Sequence, residues 1–170
     1  HRLTGLDTVM SNDEKKSDAA IVNNIKAAND LANDLGDLPL ALAQAGAYME
    51  QSGSSFESYL ELFRAERRRV WKSEGAMEEK KTVATTWELN MSRIQSENPR
   101  AASILYRMAY YFADKIPGRV LQHALDDWRK TSDGVNKSDA LVKLEFDENI
   151  RALTRYSLIS GNSGMYNIHR

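Results

Sequence analysis

Cysteine is absent from this chain, so it can form no disulfide and offers no thiolate to a metal. Proline is scarce, with only Pro39, Pro99 and Pro117 in 170 residues, so each marks a place where the backbone changes course. No run of ~18 apolar residues is present to cross a bilayer, and the opening "HRLTGLDTVM" lacks the pattern of a signal peptide. An excess of either charge is missing too. The 23 basic and 24 acidic residues leave a net charge of −1, which argues against bulk nucleic acid or an anionic membrane as partner. These absences predict a soluble chain of a reducing compartment, the cytoplasm, in which the sequons at Asn90 and Asn136 carry no meaning.

The motifs of self-contained enzymes are missing as well. There is no GxxxxGK[ST], GxGxxG, HExxH or GxSxG, and the histidines His1, His123 and His169 are far apart in sequence. Carboxylates are scattered over helix faces without a pair suited to acid–base work, so the chain reads as no enzyme in its own right.

What is present is helical periodicity. Hydrophobic residues make up 42% and charged residues 28%, ordinary for a folded protein of one domain or two small packed subdomains. "SDAAIVNNIKAANDLANDLG" places Ala20, Ile21, Ala28, Leu31, Ala32 and Leu35 near one helix face, with Ser17 or Asp18 to cap it and Gly36 to stop it. A second helix, from Pro39 to Gln51, is nearly all small or apolar, which predicts burial on every side. Gly53 closes it, and a capping box from Ser54 to Glu57 opens a third helix carrying Phe56, Tyr59, Leu60, Phe63 and Val70. Its Arg67, Arg68 and Arg69 read as a solvated face near the C-terminal dipole.

The polar run at residues 72–81 predicts a linker. After it, "TVATTWELNMSRI" spaces Val83, Trp87, Met91 and Ile94 on one face. Asn98 and Pro99 then open a helix that buries Ile104, Leu105, Met108, Ala109 and Phe112. A shorter helix follows the break at Pro117–Gly118, then the polar loop "KTSDGVNKSD". "DENIRALTRYSLI" reads as a helix running into a strand, and "SLIS-GNSG-MYNIH" as a β-hairpin. The expected fold is therefore mainly α: a small helical bundle over residues 1–75, then a winged-helix domain over 76–170 ending in a short hairpin. Charge divides mildly between them, 9 basic against 12 acidic residues in the first and 14 against 12 in the second.

A winged helix raises DNA binding, in which the start of the recognition helix lies among phosphates. Here the region "EFDENIRAL" brings Glu145, Asp147 and Glu148, the preceding helix brings Asp126 and Asp127, and the hairpin tip has no charge. Arg151 and Arg155 compensate only weakly, so nucleic acid is disfavoured as partner. A helical scaffold that docks a protein is the other alternative.

Three stretches resemble a known family. "LGDLPLALAQAGAYM" is similar to the GLPLA motif of the NB-ARC class of STAND nucleotide switches, relatives of apoptotic activators and plant immune receptors. "TVATTWELNMSRI" resembles the opening of the winged helix in a branch that carries tetratricopeptide repeats. "LTRYSLIS…MYNIHR" is similar to its end, where the family has a methionine–histidine–aspartate motif. The order matches along nearly the whole chain. Two departures stand out: the motif's glycine is Asp37 here, and the aspartate after the histidine is Arg170.

The resemblance implies an ADP/ATP switch in signal transduction, of the kind used in innate immunity and programmed cell death. Pro39, with Leu38 beside it, would line the adenine, and His169 would donate a hydrogen bond to the β-phosphate. Magnesium would come only through the P-loop domain, whose Walker A and Walker B segments are not in this chain. The expected partners are the chain's own upstream nucleotide domain, a downstream sensor or repeat domain, and further copies of the full-length protein in an active oligomer. The longer parent would be a slow ATPase switch, of which this chain is a fragment. Seen alone, Pro39 also reads as an ordinary helix-start proline and His169 as an end-of-strand residue.

Overall fold

The computed structural model describes residues 4–70, 78–111, 114–123, 137–162 and 164–169, without the side chains of 4–17, 70, 78–79, 123 and 162. Among the described residues, seven helices and three short strands follow one another as α1 (Thr4–Asp34), α2 (Pro39–Ser52), α3 (Phe56–Val70), α4 (Glu78–Glu97), α5 (Pro99–Met108), β1 (Ile116–Pro117), α6 (Gly118–His123), α7 (Asp139–Arg155), β2 (Ile159–Asn162) and β3 (Met165–Ile168). The expectations for Val70, Phe112, Asp126, Asp127, Asn136, His1, Arg170 and the side chain of His123 lie outside the described residues.

Two apolar cores result. In the first, Leu31 and Leu35 of α1 meet Ala41 and Ala45 of α2, Tyr59, Leu60 and Phe63 of α3, and Leu89 of α4. In the second, Met91 and Ile94 of α4 join Ile104, Leu105 and Met108 of α5, Leu121 of α6, Phe146, Ile150 and Leu153 of α7, and Ile116, Leu158 and Ile159 of the strand region. From α5 onward the described elements take the order helix, strand, helix, helix, strand, strand, which is that of a winged helix. The sheet order is β1-β3-β2, antiparallel throughout, with Tyr166 opposite both Ile116 and Gly161.

The local chemistry explains most boundaries. Helix α1 ends in a Schellman motif: Gly36 at φ +64° donates to the Asn33 carbonyl, and the Asp37 N–H reaches back to Ala32. Arg67 of α3 donates to the Asp34 carbonyl and Arg64 pairs with the Asp34 carboxylate at 2.6 Å, so α3 holds the last turn of α1. Asn98 accepts from the Ala101 N–H, with Pro99 filling the first helical position as expected.

Several expectations are corrected. Helix α1 starts at Thr4 rather than at Ser17, and its Ala20 and Ile21 are exposed, lining an open recess beside Ser55 and Glu57 rather than a packed core. The cap of α3 is Ser55, which accepts from the Ser58 N–H, while Ser54 bonds to Ser52. Residues 78–81 of the expected linker are helical, part of α4. Helix α4 does not turn one apolar face to one neighbour: Val83 and Leu89 serve the first core, and Trp87, Met91 and Ile94 the second. Ala109 is exposed, the break at Pro117 is a strand, and α7 opens at Asp139 behind a Ser138 cap. Glu145, Asp147 and Glu148 therefore lie in the middle of α7 and not at its start.

Helix α2 is not buried all round either. Ala41, Gln44, Ala45 and Ala47 are buried, whereas Pro39, Leu42, Ala43 and Gly46 form an exposed, small and apolar stripe. Low hydropathy contrast hid this, since both faces are made of similar residues.

Candidate functional site

The seam between the two cores is polar. Thr86 of α4 donates to Gln44 Oε1 of α2 at 2.6 Å, deep in the molecule. Asn90, one turn further on α4, donates from Nδ2 to the Gln44 carbonyl at 3.1 Å and to the Tyr156 carbonyl at 2.9 Å. Gln44 Nε2 in turn donates a longer bond, 3.4 Å, to the Ser157 carbonyl. Gln44, Thr86 and Asn90 are fully buried.

The physical reason lies at the end of α7. The Ser157 N–H bonds to the Thr154 carbonyl and the Leu158 N–H to the Leu153 carbonyl, a second Schellman motif, with Ser157 at φ +51° where glycine is usual. The turn leaves the carbonyls of Tyr156 and Ser157 without helical partners, the first in a buried site and the second in a partly buried one. Side chains of α4 and α2 supply the missing donors. An outer layer covers them: the Tyr156 hydroxyl donates to Glu97 Oε2 at 2.8 Å, Arg93 pairs with Glu97, and the Arg93 guanidinium lies 5.8 Å from the Tyr48 ring centroid. Burial, and then the Glu97 carboxylate, raise the Tyr156 phenol above its ordinary range, so it remains a donor.

The expected binding residues stand on two sides of this seam. Pro39 is the first residue of α2 and is exposed. Leu38, the N-cap in extended conformation, is half-buried and packs toward the bundle core. Gln44 follows Pro39 by five residues, ~7.5 Å of helix rise. On the other side, the His169 N–H donates to the Leu158 carbonyl at 3.2 Å, next to the residue that Gln44 holds. The His169 side chain is half-buried and makes no hydrogen bond among the described residues. The seam ties the helix that Pro39 opens to the turn after α7, and the His169 N–H bonds to Leu158 at the end of that turn. Neither residue lines the groove of about 690 Å³ between α7 and the hairpin, or the recess of about 520 Å³ between α1 and α3.

Asp37, which stands where the motif has glycine, sits at φ +52°. That is the left-handed region in which glycine is at ease and aspartate is among the tolerated exceptions.

Sequence reasoning missed the polar seam. Its signal was present: Thr82, Thr86 and Asn90 recur every four residues on α4, and Gln44 interrupts an apolar helix. All four are buried, and the Asn90 sequon therefore lies out of reach of any modifying enzyme. Of the arginine cluster, Arg67 serves the end of α1, and Arg69 is held by Glu66 and Glu88.

Among the described residues no group of histidine and carboxylate side chains could hold a metal, and no helix is long and apolar enough to cross a membrane. No family model matches the chain, and no curated protein or solved structure matches it significantly.

Proposed function

We propose that this chain is the helical and winged-helix part of a STAND nucleotide switch, which closes one side of an ADP site and couples nucleotide state to opening and oligomerisation. The observation that carries the reading is the polar seam, which ties the helix begun by Pro39 to the turn after α7, where Leu158 accepts the His169 N–H. A switch of this kind needs both sides held in register, because a nucleotide biases two states only through contacts that differ between them.

The residues fit such a ligand. Pro39 opens an exposed apolar stripe with Leu42, a flat dry wall suited to a base, while Leu38 steadies the turn from the core side. His169 keeps its ring nitrogens uncommitted among the described residues and can donate to a phosphate oxygen. A P-loop domain upstream would hold the phosphates and magnesium. The rest of the parent follows as part of the proposal: a cytoplasmic signalling protein with a sensor or repeat domain, oligomeric when active.

The test uses the full-length protein that the proposal implies, purified natively and then denatured to release small molecules. ADP is expected in the wild type. His169→Ala should weaken closure by about 1.5–3 kcal/mol, the worth of a charge-assisted hydrogen bond, and raise the open, oligomeric fraction tenfold or more. An empty protein that also ignores added ADP overturns the reading. Unchanged ADP content and oligomeric state in the variant would remove His169 from it.

A further inference from the structure

Helix α1 runs for 31 residues, ~46 Å, but the residues it gives to the bundle core, Leu31 and Leu35, lie at its C-terminal end. From Asp18 to Lys26 every side chain is exposed, and shielding begins only at Ala27. Within that free stretch Ile21, Val22 and Ile25 are 54%, 64% and 58% exposed, and none of the three belongs to either core. They do not prolong the core face. Val22 stands nine residues, two and a half turns, from buried Leu31 and therefore points the opposite way. Ile21 also borders the recess beside Ser55 and Glu57, whereas Val22 and Ile25 do not line it. Asp18, Ile21, Val22, Asn23 and Asn24 are all modest helix formers, so propensity alone does not account for a helix here. Packing of an apolar face is the usual source of such stability.

The charges beside this face have a symmetry of their own. Asp18 stands four residues before Val22 and Lys26 four residues after it. Both are exposed and make no hydrogen bond or ion pair among the described residues. Eight residues apart, they lie on one side of the helix. A twofold axis near Val22 that sets two such helices antiparallel brings each Asp18 across from the other copy's Lys26, with the aliphatic side chains interleaved between. A parallel pairing would oppose Asp18 to Asp18 and Lys26 to Lys26. One charge of each sign gives a purely acidic or purely basic partner no advantage, whereas a second copy satisfies both.

We infer that the face of α1 formed by Ile21, Val22 and Ile25 binds a second copy of this chain, the two helices antiparallel, with Asp18 of each copy paired to Lys26 of the other. Both copies bury the same patch, so the contact closes on itself and stops at a dimer. Three aliphatic side chains cover far less than the ~800 Å² per partner of a standard interface, so the dimer is a weak one, with a Kd of about 100 µM. This inference does not depend on the nucleotide reading, since it uses α1 alone and requires no ligand.

The test is sedimentation equilibrium of the nucleotide-free 170-residue chain from about 5 to about 500 µM. The mean mass should rise with concentration from 19.2 kDa toward twice that value. The double variant Val22→Ser, Ile25→Ser should raise Kd at least tenfold. Asp18→Lys and Lys26→Asp should each raise it severalfold, and the two combined should bring it back toward the wild-type value, because opposite charges again face each other. Leu144→Ser, which removes a 50% exposed side chain of α7, should change nothing. All these positions are exposed, so thermal midpoints at the lowest concentration should match the wild type. A monomer at every concentration overturns the proposal, as does a dimer that the double serine variant leaves intact. A combined charge variant no better than the single ones overturns the antiparallel pairing.

Discussion

In the bundle half, eight buried apolar side chains make the core, two of them alanines of α2. In the winged half there are sixteen, drawn from helices and strands alike, both numbers being those of the described residues. Between the halves, the buried amides of Gln44 and Asn90 donate to the Ser157 and Tyr156 carbonyls at the end of α7, and the Thr86 hydroxyl donates to Gln44 Oε1. The apolar cores tolerate many arrangements of similar volume, because dispersion and burial have no direction. The seam does not, because its amide N–H groups are aimed at particular carbonyls, and a shifted register would leave more buried groups unpaired than Asn90 Oδ1, which has no partner among the described residues. The two cores share α4, and the hydrogen-bonded seam beside it sets how they are joined.

Breaking the thinner core should have the largest effect. Phe63 is completely buried, and Phe63→Ala is expected to cost about 3–5 kcal/mol, a large share of a domain's stability. Hydrogen exchange should show the loss of protection falling first on α1 and α3, with α5 and α7 still protected. Equal loss in both halves would mean that the cores are not separable.

Next comes the seam. Asn90→Ala removes both donors that satisfy the Gln44 and Tyr156 carbonyls and leaves a cavity, at a cost of about 2–4 kcal/mol. The more telling outcome is in the shape of the curve. With Asn90 present, urea unfolding should be one transition; without it, α7 and the hairpin should separate from the bundle as a second. A single transition shifted in midpoint only would show that apolar contacts across α4 suffice to couple the halves.

Much of this architecture is legible in the sequence, and its gaps have physical causes. The helix order, the Asn98–Pro99 start, the Gly36 and Gly53 stops and the terminal hairpin all rest on short-range rules that tertiary packing did not override. Strand β1 escaped because two residues carry no period, and only pairing with β3 makes them a strand. The division of α4 between two cores escaped because periodicity reports that a face is buried, not against what. The candidate pair Pro39 and His169 came from resemblance, whereas the residues that link their elements, Gln44, Asn90 and Ser157, are polar or strained and blend into an average composition.

A smaller effect should sharpen the contrast between core and seam. The Tyr59 hydroxyl is buried in the bundle core with no partner among the described residues, unlike the seam hydroxyls. Tyr59→Phe should therefore be neutral or stabilising, by up to about 1 kcal/mol, where the loss of a paired seam group destabilises. The pH dependence gives an independent reading. Burial, with Tyr48 beside it, raises the Tyr59 phenol well above its ordinary value of 10.0. The folded state thus keeps the proton while the unfolded chain loses it. Stability from this residue is full below pH 10.0 and falls as pH rises beyond it. Thermal unfolding from pH 9 to about 11 should show a shallower decline for Tyr59→Phe than for wild type.

The smallest effect concerns Asp37, at the turn that presents Pro39. Its left-handed backbone costs an L-residue about 1 kcal/mol, somewhat less for aspartate, whereas glycine pays instead in unfolded-state entropy, about 0.5–1 kcal/mol. The two nearly cancel, so Asp37→Gly should change stability by only a few tenths of a kcal/mol. Asp37→Ala keeps the strain and loses aspartate's tolerance of it, so it should be less stable than the glycine variant by about 1 kcal/mol. Chemical denaturation of the three proteins, read for the order glycine, aspartate, alanine, decides the matter. If alanine matched glycine, the turn would carry no conformational demand, and the Asp37 departure would weigh against the resemblance rather than being absorbed by the backbone.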